Sequence, residues 1–187
     1  PSLRYMGLDG AENVEEATDG FVRFADLTDG LPRAVRALPK VDWVMSLEVA
    51  EHVPRASEAR YLHTLTSLPT SGVLMSWAVP GQGSGGAGAK HVNCQWASYV
   101  DCTMGLLGFE WDSELEARLG KHRPNSTYPC PWLRYNLLAF RRAEGGALGA
   151  FRRADVRLLR SLLGGPVASS LFESLYANLT SAHCEPA

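Results

Sequence analysis

No apolar run in the chain approaches the roughly 20 residues that a helix needs to cross a bilayer. Its opening, Pro1 to Gly10, has neither the apolar stretch nor the small-residue cleavage site of a secretory signal. On these absences a cytoplasmic location is the expectation. The four cysteines, Cys94, Cys102, Cys130 and Cys184, form no C-x-x-C pair. That argues against a zinc ribbon, and the spacing reads as reduced thiols in an intracellular protein. Lys90 is followed by His91, not by Ser or Thr, so the glycine-rich stretch before it is not a P-loop. Neither sign of charge dominates: the net charge over 187 residues is -2, which gives no push toward nucleic acid or an anionic membrane. The sequons Asn125-Ser126-Thr127 and Asn178-Leu179-Thr180 matter only if the chain is secreted.

What is present is an alternation of short apolar runs and helical periods. Strands are predicted at Tyr5 to Asp9, Phe21 to Asp26, Val41 to Ser46 and Val73 to Val79. The last of these is apolar almost throughout, as a sheet covered on both faces requires. Helical patterns cover Glu58 to Leu68, with Ser57 as its cap, then Val92 to Leu107 and Ser113 to Leu119. Phe109 to Trp111 and Leu133 to Arg141 read as two final strands, suited to an antiparallel pair at the sheet edge. This order is that of an α/β sheet, mostly parallel, with helices on both faces. After Arg142 the character changes. Gly145-Gly146 is a hinge, and helices are predicted at Asp155 to Leu163 and Val167 to Leu179. Residues 1-142 are therefore expected to form the main domain and 143-187 a helical C-terminal extension.

The chemistry-bearing residues gather at the ends of the strands, where open α/β sheets bind ligands. Asp9-Gly10 follows the first strand and Asp26-Leu27 the second. A carboxylate in the first position suits ribose hydroxyls, and one in the second suits the amino edge of adenine. Read alone, each is an ordinary turn or cap residue. The third strand runs into S-L-E-V-A-E-H-V-P, Ser46 to Pro54. If that block is helical, Glu48, Glu51 and His52 share one face and offer oxygen and nitrogen donors to a divalent metal. The alternative has Glu48 and His52 shaping a pocket and Glu51 solvated. His91, after the glycine loop Pro80 to Gly88, is either a further ligand, a general base or an exposed side chain. The loop itself is a flap or a slack surface segment. His63, His122 and His183 read as surface residues. The arginines Arg141, Arg142, Arg152, Arg153, Arg157 and Arg160 read as a solvated face, with phosphate contact as the alternative.

Taken in order, strand-Asp, strand-Asp, S-L-E-V-A-E-H-V-P, then S-W-A-V-P-G-Q-G with H-V-N (His91 to Asn93) and W-L-R-Y-N-L-L-A-F-R-R (Trp132 to Arg142) resembles the class I, seven-stranded S-adenosylmethionine-dependent methyltransferases. The resemblance covers about Tyr5 to Arg142. It implies a Rossmann-like fold and S-adenosylmethionine as cofactor. Asp9 and Gly10 would lie at the ribose, Asp26 and Leu27 at the adenine, and Ser46 and Leu47 near the methionine part. Similar E-x-x-E-H segments occur in ubiquinone-pathway O-methyltransferases and small-RNA 3′-end 2′-O-methyltransferases, where a histidine beyond the next strand completes a metal site. That implies Glu48, Glu51, His52 and His91 as metal ligands, with His91 and His52 also the candidate catalytic groups. The family's first strand and glycine-rich loop should precede Asp9, so an N-terminally incomplete sheet is expected. The expected reaction is methyl transfer to an acceptor oxygen or nitrogen. The alternatives are a non-catalytic remnant acting as an interaction module, and a nucleotide-binding α/β protein of another kind.

Overall fold

Tyr5 to Asp9 and Phe21 to Asp26 each yield a short strand, β1 (Gly7–Asp9) and β2 (Val22–Phe24), paired in parallel with Asp9 opposite Phe24. The computed structural model describes residues 3–28, 38–83, 91–121, 133–143 and 169–184, and the statements below concern these. Between the two strands lies one helical turn, α1 (Val14–Ala17), drawn from the acidic segment. Glu15 of that turn accepts the backbone N–H of Phe24 at 3.0 Å, so one of its acidic residues braces the strand.

The larger sheet contains β3 (Val41–Ser46), β4 (Pro69–Ser76), β5 (Phe109–Trp111) and β6 (Leu137–Arg142), in the spatial order β3-β4-β6-β5. β3 and β4 run parallel, while β6 runs antiparallel to both β4 and β5. The predicted antiparallel end of the sheet is present, with β6 seated between its neighbours. The described residues form a partial Rossmann-like α/β fold, divided between this sheet and the separate β1-β2 pair. Leu137 to Phe140 are all buried, so β6 is covered on both faces. β4 begins at Pro69, earlier than predicted, because Gly72 is part of the strand and does not stop the helix before it. A Cβ at Gly72 would sit 2.3 Å from the Phe140 carbonyl oxygen and 2.4 Å from the Trp43 ring, so only glycine fits between these strands.

Helix α2 (Glu58–Ser67) buries Tyr61, Leu62 and Leu65, as its periodicity predicts. Ser57 makes no side-chain cap bond; the first turn is instead occupied by Glu58 and its partners. Helix α3 (Ala97–Leu106) starts five residues later than the pattern at Val92 suggests. The N–H groups of Val92 and Asn93 are already committed to the Glu51 carbonyl, at 2.8 and 3.1 Å, which holds that segment outside any helix. Helices α4 (Ser113–Lys121) and α5 (Leu133–Asn136) flank the last two strands, α5 replacing the predicted first turn of β6.

The last element, α6 (Ser169–His183), comes from the expected extension. Phe172, Tyr176, Leu179 and Cys184 share one buried cluster with Tyr61, Trp77, Tyr99 and Phe140. Arg60 forms a two-pronged ion pair with Glu173 (2.8 and 3.2 Å), and His63 packs on Phe172 at 4.8 Å between ring centroids. His63 is therefore an interhelical contact, correcting its reading as a surface group.

Two further expectations are corrected. Cys102 and Cys184 form a disulfide, with Cα atoms 5.7 Å apart across a sequence separation of 82. Docking of α6 against α3 brings them together, and no local spacing announces it. The argument for a reducing compartment from unpaired thiols is thereby lost. Arg141 pairs with Asp112 and lies over the Trp43 ring, while Arg142 donates to the carbonyls of Thr66 and Pro69. Arg142 is thereby committed to the sheet edge, while Arg141, though paired, keeps the solvent exposure read for it. No described helix is long and apolar enough to cross a membrane. Cys130, His122, the first sequon, residues 84–90 of the loop region, Gly145-Gly146, the helix at 155–163 and its arginines lie outside the described residues.

Candidate functional site

The carboxyl end of β3 does not run into a helix. Glu48 adopts a left-handed backbone conformation, φ 57°, unusual for a residue with a side chain. Ser76, at the end of neighbouring β4, stabilises it from both sides. Its hydroxyl accepts the Glu48 N–H at 2.6 Å and donates to Glu48 Oε1 at 2.8 Å. The chain then makes a single 3₁₀ turn, Ala50–His52. The helical face proposed for Glu48, Glu51 and His52 is thus replaced by a tight corner, which turns Glu48 toward Ser76 and sends Glu51 inward.

Glu51 is completely buried, 0% exposed, which excludes the alternative of a solvated side chain. Neither carboxylate oxygen has a hydrogen-bond partner among the described residues. Burial pushes its carboxyl above the ordinary carboxylate range and the Glu48 charge adds to this, while its own backbone amide, His52 and His91 act in the opposite direction. One donor atom from each of Glu51, His52 and His91 lies within 4.8 Å of the others. The two imidazoles meet edge to face at 4.9 Å between centroids. Glu48, predicted as a fourth member of this set, is not among the gathered donors.

His91 is oriented from the turn after β4. Its Nδ1 lies 3.1 Å from the Gln82 carbonyl. In the tautomer that donates there, Nε2 is left as the acceptor or ligand atom. Gly83 makes room for the ring: it sits at φ 74°, and a Cβ there would come 2.4 Å from His91 Nδ1. Gln82 fixes the turn itself. Its side-chain oxygen accepts the Val79 N–H and the Asn136 amide, each at 2.8 Å. Asn136 precedes antiparallel β6 and so stands at the same edge as the ends of β3 and β4. Gln82 and Asn136 escaped the sequence reading, since their role depends on pairing across 54 residues.

The cofactor candidates occupy the other strand ends. Asp9 is the last residue of β1 and Asp26 lies two residues beyond the adjacent parallel β2, the two segments joined by the Ala25 N–H to the Asp9 carbonyl at 2.8 Å. Both side chains are exposed, and each caps a local turn. Asp9 Oδ1 accepts the Ala11 N–H, and Asp26 Oδ1 accepts the N–H and hydroxyl of Thr28. Gly10 is open: a Cβ there would meet only the Ala25 carbonyl, at 3.7 Å. Leu27 packs against the main core. Ser46 is buried with its hydroxyl 2.7 Å from that of Tyr61, so it faces the interior, and Leu47 beside it is half-buried. Burial, eased by Ser46, raises the Tyr61 hydroxyl well above its ordinary pKa and keeps it neutral.

No family model matches the chain, and no curated protein matches it. Among solved structures it is similar to magnesium protoporphyrin IX methyltransferase from Synechocystis PCC 6803 with bound SAH, at 18% identity and a TM-score of 0.44. That match covers 74% of this chain and 64% of the other, so the chain spans less than two thirds of its neighbour. A likeness this distant carries no argument about activity, and the functional reading rests on the residues.

Proposed function

We propose that the chain is an S-adenosylmethionine-dependent methyltransferase acting on an acceptor oxygen or nitrogen. Asp9, Gly10, Asp26, Leu27, Ser46 and Leu47 form the cofactor side, and Glu51, His52 and His91 the acceptor side. The observation that carries the reading is Glu51. A completely buried carboxylate with no hydrogen-bond partner among the described residues, facing two imidazoles, is costly to keep unless a ligand or proton satisfies it. The placement of Asp9 and Asp26 at the carboxyl ends of neighbouring parallel strands supports the cofactor assignment.

In the reaction a lone pair on the acceptor attacks the methyl carbon of the sulfonium. The carbon–sulfur bonding pair passes to sulfur, and S-adenosylhomocysteine leaves. The acceptor proton passes to His91 Nε2 when Nδ1 donates to Gln82, or to His52, which is exposed and able to release it to water. Such a displacement depends chiefly on alignment, which the fixed corner at Glu48 and the braced turn at Gln82 provide.

One carboxylate and two imidazoles also suit a divalent cation of the manganese-to-zinc series, and the bare Glu51 carboxylate meets the requirement for an anionic ligand. Glu51, His52 and His91 would hold it. When bound, such an ion supplies Lewis acidity that lowers the pKa of an acceptor hydroxyl. The direct test is calorimetry of the chain with S-adenosylhomocysteine. Binding at about micromolar strength, weakened by Asp9→Ala, supports the enzyme, whereas silence favours a methyltransferase-like remnant used as an interaction module.

A further inference from the structure

Seven residues beyond Glu51 lies a second buried carboxylate, Glu58, which is 1% exposed. Its Oε1 accepts the hydroxyls of Tyr99 (2.5 Å) and Tyr176 (2.7 Å). Its Oε2 accepts Arg55 Nη1 (2.8 Å) and Asn93 Nδ2 (2.9 Å). A carboxylate has about four lone-pair sites, and all are used here by donors from four separate parts of the chain. Arg55 also lies over the Tyr99 ring at 4.6 Å, closing the assembly on its outer side.

The Asn93 bond ties this hub to the candidate site. Asn93 is two residues from His91, and its own N–H bonds the Glu51 carbonyl. Its carbonyl accepts the Trp77 indole N–H, and its side-chain oxygen accepts Gln95 Nε2 at 2.8 Å. Every polar atom of Asn93 is therefore fixed, and the one link reaching across to α2 is the bond to Glu58. Tyr176, 118 residues from Glu58, supplies a quarter of the Glu58 shell from the C-terminal helix.

We propose that Glu58 is a positioning residue for the site: through Asn93 it sets the place of the His91 segment, and the C-terminal helix completes it through Tyr176. The helix thereby supports the site through Glu58 and Asn93. This inference rests on reading Glu51, His52 and His91 as the functional site, and it names what holds His91 over Glu51.

The test uses the full chain with Tyr176→Phe, Glu58→Gln and, as a control, Glu173→Gln. The control removes the ion pair with Arg60 and so loosens the same helix without touching the Glu58 shell. The readouts are amide hydrogen exchange at Val92 and Asn93, the Trp77 indole N–H resonance, and affinity for Co²⁺. Tyr176→Phe is expected to speed exchange at Val92 and Asn93 by about fivefold, the weight of one hydrogen bond. It should also shift the indole resonance and weaken Co²⁺ by about tenfold, as loss of groups supporting a ligand does. Glu58→Gln should do the same more strongly, and Glu173→Gln should leave all three readouts at wild-type values. If Glu58→Gln does not fold, Tyr176→Phe decides alone. Unchanged exchange and indole resonance in Tyr176→Phe, or equal changes in Glu173→Gln, would overturn the proposal. A wild-type chain that ignores Co²⁺ and S-adenosylhomocysteine, yet answers in exchange, keeps the positioning and removes the functional reading.

Discussion

Glu51 and Glu58 are two carboxylates on one short segment, both sealed from solvent, with opposite surroundings. Glu58 has a donor for each lone pair. Glu51 has none among the described residues and faces two histidines. Burial of charge is costly in both cases, but the cost is met by the protein at Glu58 and left open at Glu51. The difference separates architecture from chemistry: a saturated buried acid fastens elements together, and one left open among the described residues is available to a ligand or a proton.

The contrast can be broken most forcefully at Glu58. Glu58→Ala leaves two buried tyrosine hydroxyls and the Asn93 amide without their acceptor, and should cost about 3 to 5 kcal/mol in denaturant unfolding. A loss below about 1 kcal/mol would show that the hub is not architectural.

Next in size is the disulfide that anchors the helix carrying Tyr176. Reduction of Cys102–Cys184 releases a loop set by a separation of 82 residues and should lower stability by roughly 3 to 4.5 kcal/mol in the chain-entropy model. Thermal unfolding with and without a dithiol reductant reads this directly.

A smaller effect comes from the tyrosines around Glu58. Burial raises the hydroxyls of Tyr99 and Tyr176 above the ordinary tyrosine value, and the Glu58 charge raises them further. Groups raised in the folded state contribute stability that is complete below the unfolded value near pH 10 and lost as pH climbs above it. Wild type should therefore lose stability above about pH 10, and Tyr176→Phe should flatten that loss. At neutral pH the same variant should cost only about 1 kcal/mol. Equal alkaline slopes in the two proteins would detach Tyr176 from the hub.

The smallest change in stability is expected at Glu51, where function should suffer most. Glu51→Gln removes a buried carboxylate that has no hydrogen-bond partner among the described residues, so the metal-free chain should be as stable as wild type or more stable by on the order of 1 kcal/mol. Marked destabilisation would mean that Glu51 has a structural partner after all, and the contrast with Glu58 would vanish.

The sequence made the sheet legible because strand β4 and helix α2 carry strong, self-consistent periods. Asp9, Asp26 and the block around Glu51 were legible as strand ends for the same reason. Periodicity was a poor guide where a tertiary bond overrode it. Val92 and Asn93 look helical and are diverted by the Glu51 carbonyl, and the apparent face at Glu48 is undone by Ser76. The bonds of Glu58 to Asn93, Tyr99 and Tyr176, the Gln82–Asn136 pair and the disulfide join residues 35 to 118 positions apart, a distance at which single-sequence spacing carries no signal.

An equilibrium Co²⁺ titration of the oxidised full chain at neutral pH, run on wild type and on Glu51→Gln, bears most directly on what the bare carboxylate is for. Wild type should bind saturably, and the folded variant about a hundredfold more weakly. Indistinguishable titrations, or no binding by either protein, would contradict this.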